Sequence, residues 1–370
     1  MHSWAAEPDA CPKHMQFGPC GGVRFDGTCE VDARPCPFLD PAHDEVLTRG
    51  AVGLSRAPRP VGLPTPVIVV DVRAPPHWVG DQRRLWHAVA ASMHGGVALL
   101  GEHVDNPRGG DDAGLVDPVV AIETLASEGV AVIATVTGRD RDLPSARATM
   151  CRYAAAGAVA IHCVTGDHPR ALSIARDAEF GAEAVSLVEV ANDLGLATTV
   201  GESPASPGAR VERLALKRAA GAGACILNHS GEVEDLVAFA EACRQGGVEL
   251  PLIAPIPMVA DMEAAASLVR FPGLRLPNRF VDPNRFPHPN RALGMVANES
   301  GPVEASIVLV SLMSAALAKS GCFIGVNLSG SATTGDPYAR IELSARFVAA
   351  AREAWNGVHQ HGPPAGAAPR

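Results

Sequence analysis

Four cysteines lie within the first forty residues, and they restrict the fold of this chain more than any other feature. Cys11, Cys20, Cys29 and Cys36 stand among prolines and glycines, with too few apolar neighbours to build a core. A segment this small and polar needs a cross-link to keep one shape. The ten residues before Cys11 have no apolar stretch and no basic start, so we expect no signal peptide. Structural disulfides are rare in a reducing cytosol, and the pattern therefore favours four thiolates that share a metal or an iron–sulfur cluster.

The spacing of these cysteines bears on which metal they would bind. Successive cysteines are separated by eight, eight and six residues, whereas zinc sites usually contain close Cys-x₂₋₄-Cys pairs. Two of the cysteines precede proline, and the GPCGG run exposes backbone N–H groups that suit cluster sulfurs. The sequence favours a 4Fe–4S cluster over zinc. Zinc stays open as the second choice, and scattered thiols in a disordered leader are the third.

The composition of the chain is that of a folded protein with a large aliphatic core. Apolar residues make up 47% of the 370 residues, but aromatic residues only 4%. The net charge of −9 argues against a nucleic-acid-binding protein, which would usually carry a basic patch. No run of about 18 uninterrupted apolar residues is present. We therefore expect a cytoplasmic protein without a membrane-spanning helix, and we interpret the apolar residues 305–318 as a buried helix.

From about residue 64 onward, short apolar segments alternate with amphipathic ones. Eight apolar segments have the length and β-branched content of buried parallel strands. They span residues 66–72, 96–101, 130–136, 158–164, 196–201, 224–228, 250–255 and 322–328. Eight strand–helix units predict a closed (β/α)₈ TIM barrel, an α/β fold. An open doubly wound sheet is the rival, but the first strand is not followed by a Gly-rich phosphate turn.

The predicted domains follow from these patterns. Residues 1–50 form the cysteine-rich metal or Fe–S module, 51–63 a linker, 64–358 the barrel and 359–370 a disordered tail. Catalytic residues of such barrels lie where the strands end. The candidates at these positions are Asp71, Glu102, His103, Asp105, Thr135, Arg139, Asp140, Thr165, Gly166, Asp167, Glu202, Asn228, His229 and Asn327.

Three stretches of the barrel resemble the methylenetetrahydrofolate reductase family. PVIVVDVRAPP is similar to the family's first strand, which ends in an acid before a Pro-Pro pair. AVAIHCVTGDHPR is similar to the fourth strand and its Gly-Asp turn, and RLALKRAAGAGACILNHS to the lysine helix and the strand that follows it. The cysteine run CPK, GPCGG and DGTCE resembles the family's separate C-terminal module, which here precedes the barrel.

This resemblance implies an oxidoreductase of one-carbon metabolism that transfers a hydride to 5,10-methylenetetrahydrofolate and forms 5-methyltetrahydrofolate. Asp71 matches the family's general acid, with an arm one methylene shorter. Asp167 matches the residue that holds the pterin and contributes to catalysis, and Asn228 matches a pterin-binding glutamine. The cofactor-binding positions of the family, which hold FAD, correspond to Thr135, Thr165, Gly166 and Lys217.

Two of these positions depart from the family pattern, which bears on the cofactor and on the reaction. Thr135 replaces a histidine and Thr165 a common arginine, so the resemblance leaves open FAD, NAD(P)H or both. Two other functions stay open: a folate-dependent homologue with altered chemistry in specialised metabolism, and a non-catalytic or electron-delivery subunit. The expected partners are a tetrahydrofolate substrate and either further copies of the chain or a reductase complex, without nucleic acid or membrane.

Three of the site residues also have ordinary structural explanations. Asp71 and Asp167 could be loop or helix-capping acids. Lys217, with Arg213 and Arg218 on the same helical segment, could belong to a solvated basic face.

Overall fold

Eight parallel strands close into a barrel in which each strand pairs with the next one in the sequence and β8 pairs with β1. The computed structural model describes residues 11–39, 54–72, 81–93, 95–102, 117–281, 302–330 and 336–360. The strands are β1 (Val67–Val72), β2 (Val97–Leu100), β3 (Ala131–Thr137), β4 (Ala160–Val164), β5 (Thr198–Glu202), β6 (Ala224–Leu227), β7 (Leu252–Pro257) and β8 (Gly325–Ser329). The predicted (β/α)₈ barrel is confirmed, and each strand boundary lies within three residues of its predicted position.

Helices follow the strands on the outside of the barrel. They are α1 (Gln82–Ser92), α2 (Pro118–Ser127), α3 (Leu143–Ala155), α4 (Ala184–Asp193), α5 (Arg210–Ala219), α6 (Val233–Gln245), α7 (Met262–Val269), α8 (Asn278–Val281), α9 (Pro302–Ser320) and α10 (Pro337–Gln360). Five of them begin after an aspartate whose side chain accepts a backbone N–H of the first turn, as N-cap residues do. These aspartates are Asp81, Asp117, Asp142, Asp261 and Asp336.

The strands bury different residues on their two faces. Alternate residues such as Ile68 and Val70 pack outward against the helices in the larger part of the core. Val67 and Val69 point into the barrel, where they form a second apolar cluster with Val97, Leu99, Ile133, Ala160, Ile226 and Ile253. Because side chains on one face recur every second residue, the next inward positions toward the strand ends are Asp71 on β1 and Thr135 on β3. The barrel interior is thus apolar at its base and polar at its mouth.

Helix α9 is the apolar segment that the sequence marks as a buried helix. Its window Val303–Ser320 has a mean hydropathy of 1.5, which by length and composition would suffice to cross a membrane. In the structure 44% of this window is buried, and the helix packs on α10, β7 and β8. These contacts are those of a core helix of the barrel.

The described part of the N-terminal module, residues 11–39, lies over the C-terminal mouth of the barrel. Arg213 of α5 donates to the carbonyl oxygen of Pro19 at 2.8 Å, and Ser206 donates to that of Val23 at 3.2 Å. Within the module, the guanidinium of Arg24 donates to the carbonyl oxygen of Glu30 at 2.8 Å. Residues 1–10, 40–53 and 361–370, together with His103 and Asp105, lie outside the described residues, and the predicted domain boundaries stay predictions.

Candidate functional site

A cavity of about 340 Å³ opens at the mouth of the barrel, beneath the N-terminal module. This volume is at the lower end of the range for pockets that bind small organic molecules. The cavity is lined by all the barrel residues predicted for substrate, cofactor or acid chemistry: Asp71, Thr135, Thr165, Gly166, Asp167, Lys217 and Asn228. The fold therefore brings together residues that are up to 157 positions apart in the sequence, from Asp71 to Asn228.

The turn after β4 presents Asp167 to the cavity. Gly166 has a φ of +91°, and a Cβ at this position would lie 2.9 Å from the Cβ of Thr137, so the turn requires glycine. The buried guanidinium of Arg139 donates to the backbone oxygen of Asp167 at 3.1 Å. Burial raises the pKa of the Asp167 carboxyl and Glu30 adds to this effect, while Lys13 and Arg139 oppose it.

Lys217 and Arg213 on helix α5 converge on one buried acid, Glu202 at the end of β5. Nζ of Lys217 lies 2.9 Å from Oε2 of Glu202 and donates to the carbonyl oxygen of Gly201 at 2.6 Å, and Arg213 pairs with the other carboxylate oxygen. Burial by itself would raise the pKa of Glu202, but the two cations lower it to about 2. The Lys217 side chain is 14% exposed, so its assignment to a solvated basic face is wrong.

Asn228 and Asp71 complete the barrel side of the cavity. The amide nitrogen of Asn228 donates to the hydroxyl of Ser203 at 2.8 Å, which fixes the orientation of the amide. Asp71 stands within β1, opposite Leu99 of β2, at the last inward position that the strand offers.

The cavity also contains Glu183 and His162, which are outside the predicted set, and the predicted strand-end candidate His229. Glu183 accepts the backbone N–H groups of Gln16 and Phe17 of the module, the second at 3.3 Å, and burial raises its pKa to about 7. His162 contacts the hydroxyl of Thr199 at 2.9 Å, and His229 contacts the hydroxyl of Ser329. Burial lowers the pKa of each histidine to about 4, so both imidazoles are neutral at physiological pH.

The residues predicted to bind FAD also contact other parts of the protein. Lys217 donates to Glu202 and to the backbone oxygen of Gly201. The carbonyl oxygen of Gly166 accepts the ammonium of Lys13, and the hydroxyl of Thr165 accepts the N–H of Ala184 at 3.4 Å. Module residues Met15 and Phe17 form part of the adjoining cavity wall. Three of the four predicted FAD-binding residues thus make contacts within the protein, and Thr135 lies in the cavity lining.

The four N-terminal cysteines are free thiols in this structure. Within the described ranges, no three histidine, cysteine, aspartate or glutamate side chains are arranged to hold a metal ion, so the arrangement does not support the predicted metal site. Burial raises the pKa of Cys20 to about 12 and that of Cys36 to about 11. Cys20 lies in the cavity wall.

Comparison with known families identifies the chain. The profile described as "Methylenetetrahydrofolate reductase" matches residues 74–299, which is more than half of the 370 residues. The chain belongs to the methylenetetrahydrofolate reductase family. The profile described as "Methylene-tetrahydrofolate reductase C terminal" matches residues 6–48, so the cysteine-rich module that this family carries elsewhere precedes the barrel here. Membership of the methylenetetrahydrofolate reductase family supports a folate-related reductase.

Searches for individual relatives add little to this assignment. A search of curated proteins finds no match. One tryptophan synthase structure from M. tuberculosis is 13% identical, with 83% of this chain and 96% of that chain covered and a TM-score of 0.45. A mutant tryptophan synthase alpha-subunit from Pyrococcus furiosus is 12% identical, with 58% and 87% covered and a TM-score of 0.37. At these scores the similarities support no conclusion about this chain.

Proposed function

We propose that the protein reduces 5,10-methylenetetrahydrofolate to 5-methyltetrahydrofolate, with a nicotinamide nucleotide as the hydride donor. The observation that carries this proposal is the convergence of Asp71, Asp167 and Asn228, from the C-terminal ends of three separate strands, on one cavity in a chain of the methylenetetrahydrofolate reductase family. The contacts of Lys217 with Glu202 and of Gly166 with Lys13 support direct transfer from the nicotinamide over transfer through FAD.

In this proposal each of the three residues has one task. Asp167 and Asn228 bind the polar edge of the pterin, where a carboxylate that accepts two N–H donors is selective for that ring. Asp71 donates a proton to N10 as the five-membered ring opens, which leaves a cationic iminium at N5. The hydride from C4 of the dihydronicotinamide adds to the methylene carbon and makes the methyl group, and the oxidised nucleotide leaves.

The charge balance of the cavity suits a cationic intermediate. Its lining contains five acidic residues, Asp71, Glu102, Asp167, Glu183 and Glu202, and four basic ones, Lys13, Arg139, Arg213 and Lys217. His162 and His229 add no positive charge, because burial keeps the pKa of both near 4. The iminium forms in a site whose acidic and basic residues nearly balance, and the Asp71 carboxylate left by the proton transfer is a nearby negative charge that favours it.

Oxidation of NADH and of NADPH in the presence of 5,10-methylenetetrahydrofolate tests the proposal. We expect Asp71→Asn to lower kcat by about 100-fold or more, the usual contribution of a general acid, while folate still binds. Asp193→Asn is the matched control, because this acid is exposed and pairs with Arg56 on the barrel surface. Folate binding without reduction would favour altered chemistry, and an absence of folate binding would favour the electron-delivery role.

We also propose that the four cysteines bind a thiolate-coordinated metal or Fe–S cluster, although the arrangement described above does not by itself provide the site. What supports the proposal is the family profile over residues 6–48, which contains all four cysteines, together with the sulfur of Cys29, which accepts the backbone N–H of Val31 at 3.5 Å. Such hydrogen bonds favour the thiolate and tune cluster sulfurs. Metal analysis and a visible spectrum of anaerobically purified protein test it, and a colourless, metal-free, active protein would contradict it.

A further inference from the structure

Two buried charges of the N-terminal module lie against the turn that presents Asp167. Lys13 and Glu30 form an ion pair whose side chains are 5% and 1% exposed. Nζ of Lys13 donates to the carbonyl oxygen of Gly166 at 2.7 Å. Oε1 of Glu30 accepts the backbone N–H of His168 at 3.1 Å. The pair therefore binds the main chain on both sides of Asp167.

Stability alone is a weak explanation for this pair. Removing two charges from water costs several kcal/mol per ion, and apolar residues of similar volume are often as stabilising as a buried ion pair. The second carboxylate oxygen of Glu30, Oε2, is buried and has no hydrogen-bond partner among the described residues. It lies against Gly22, where an added Cβ would come within 1.5 Å of it. The module thus buries the Glu30 carboxylate close to the turn, and this placement leaves no room for a side chain at position 22.

The barrel holds the same turn from the other side. Arg139 donates to the backbone oxygen of Asp167 at 3.1 Å. Together with Lys13 and Glu30, it engages two consecutive peptide groups, through the carbonyl oxygens of Gly166 and Asp167 and the N–H of His168. Arg213 and Glu183 fix the module against the barrel through further hydrogen bonds, so the position of the turn depends on both parts of the chain.

We propose that Lys13 and Glu30 are positioning residues of the folate site, which hold the turn so that the Asp167 carboxylate faces the pterin. The N-terminal module is then a working part of the active site, and its residues Lys13, Met15, Phe17, Cys20 and Gly21 form one wall of the cavity. This inference rests on the function proposed above. Its basis is that a carboxylate must be placed closely to accept two N–H donors at once, so a displaced turn weakens folate binding.

Lys13→Met and Glu30→Gln test the proposal in the full chain, with Asp32→Asn as the matched control. Asp32 is an acid of the same module whose ion pair with Arg34 is largely exposed. In Lys13→Met we expect the His168 amide to exchange its hydrogen at least tenfold faster, and in Glu30→Gln, whose amide oxygen can still accept this N–H, we expect a smaller increase. We also expect KM for methylenetetrahydrofolate to rise about tenfold or more, with kcat and the nicotinamide KM changed less than threefold. Lys13→Arg, which keeps the charge, should recover most of the folate affinity.

Three outcomes are decisive. An unchanged folate KM together with unchanged exchange at His168 would overturn the proposal. A parallel loss in kcat, both KM values and melting temperature would also overturn it, because it would show a merely structural role. A wild-type protein that binds no folate would refute the proposed function instead, and exchange at His168 would then still decide whether the pair holds the turn.

Discussion

Replacing Glu202 by Gln should destabilise the fold more than any change of a surface acid. Glu202 is buried and pairs with both Arg213 and Lys217, so the neutral amide leaves two cations without their counter-charge. The pairing lowers the carboxyl pKa from 4.5 to about 2. At 1.36 kcal/mol per pKa unit this corresponds to about 3 kcal/mol of the free energy of unfolding. Removing one partner of a buried ion pair usually costs about 3–5 kcal/mol, which agrees.

Urea unfolding at several pH values measures this effect. Because the pKa of Glu202 is lowered in the folded state, its contribution is complete above pH 4.5 and is lost as the pH falls toward 2. We therefore expect Glu202→Gln to lower the unfolding free energy by about 3 kcal/mol at pH 7 and by much less at pH 2. Glu304→Gln is the control, since Glu304 and Arg346 form an exposed pair worth at most about 1 kcal/mol. A Glu202→Gln protein as stable as this control would refute the reasoning.

Two further predictions concern the contacts between module and barrel. Burial raises the pKa of Glu183 from 4.5 to about 7, so the free energy of unfolding of the wild-type protein should fall by up to about 3 kcal/mol between pH 4.5 and pH 8. Urea titrations should show that this decline is missing in Glu183→Gln. An equal decline in Glu183→Gln would contradict the assignment. Gly22→Ala places a methyl group against the Glu30 carboxylate and should raise the folate KM as Glu30→Gln does. Gly62 has open space around it, so Gly62→Ala should leave the kinetics unchanged. Equal kinetics for the two variants would contradict a role for the contact between Gly22 and Glu30.

The sequence predicts the barrel well, because each strand and helix has a local sequence pattern that indicates it. Continuous apolar runs mark the buried strands, and aspartate N-caps mark helix starts such as those after Asp81 and Asp117. The same strand order predicts Asp71, Asp167 and Asn228 as site residues, because catalytic residues of barrels lie at strand ends. Local pattern and strand order are sufficient for these features.

Contacts between distant segments are what the sequence does not reveal. Lys13 bonds to Gly166, 153 residues away, and Gln16 bonds to Glu183, 167 residues away. Glu183 stands at the N-cap of α4, where the expected task is capping, yet its carboxylate binds the module instead. Lys217 has the spacing of a basic helical face, and the acid that neutralises it lies on β5. The periodicity of the helix therefore cannot predict that Lys217 pairs with an acid on a strand.

Transfer of deuterium from C4-deuterated NADH or NADPH to the folate product tests the central claim most directly. We expect the purified full chain, without added flavin, to convert 5,10-methylenetetrahydrofolate into 5-methyltetrahydrofolate whose methyl group carries one deuterium, as mass spectrometry would detect. Loss of this product in Asp71→Asn, with folate still bound, would agree with the role of the acid. Absence of any methyl product with either nucleotide, from a protein that is folded and binds folate, would contradict the account.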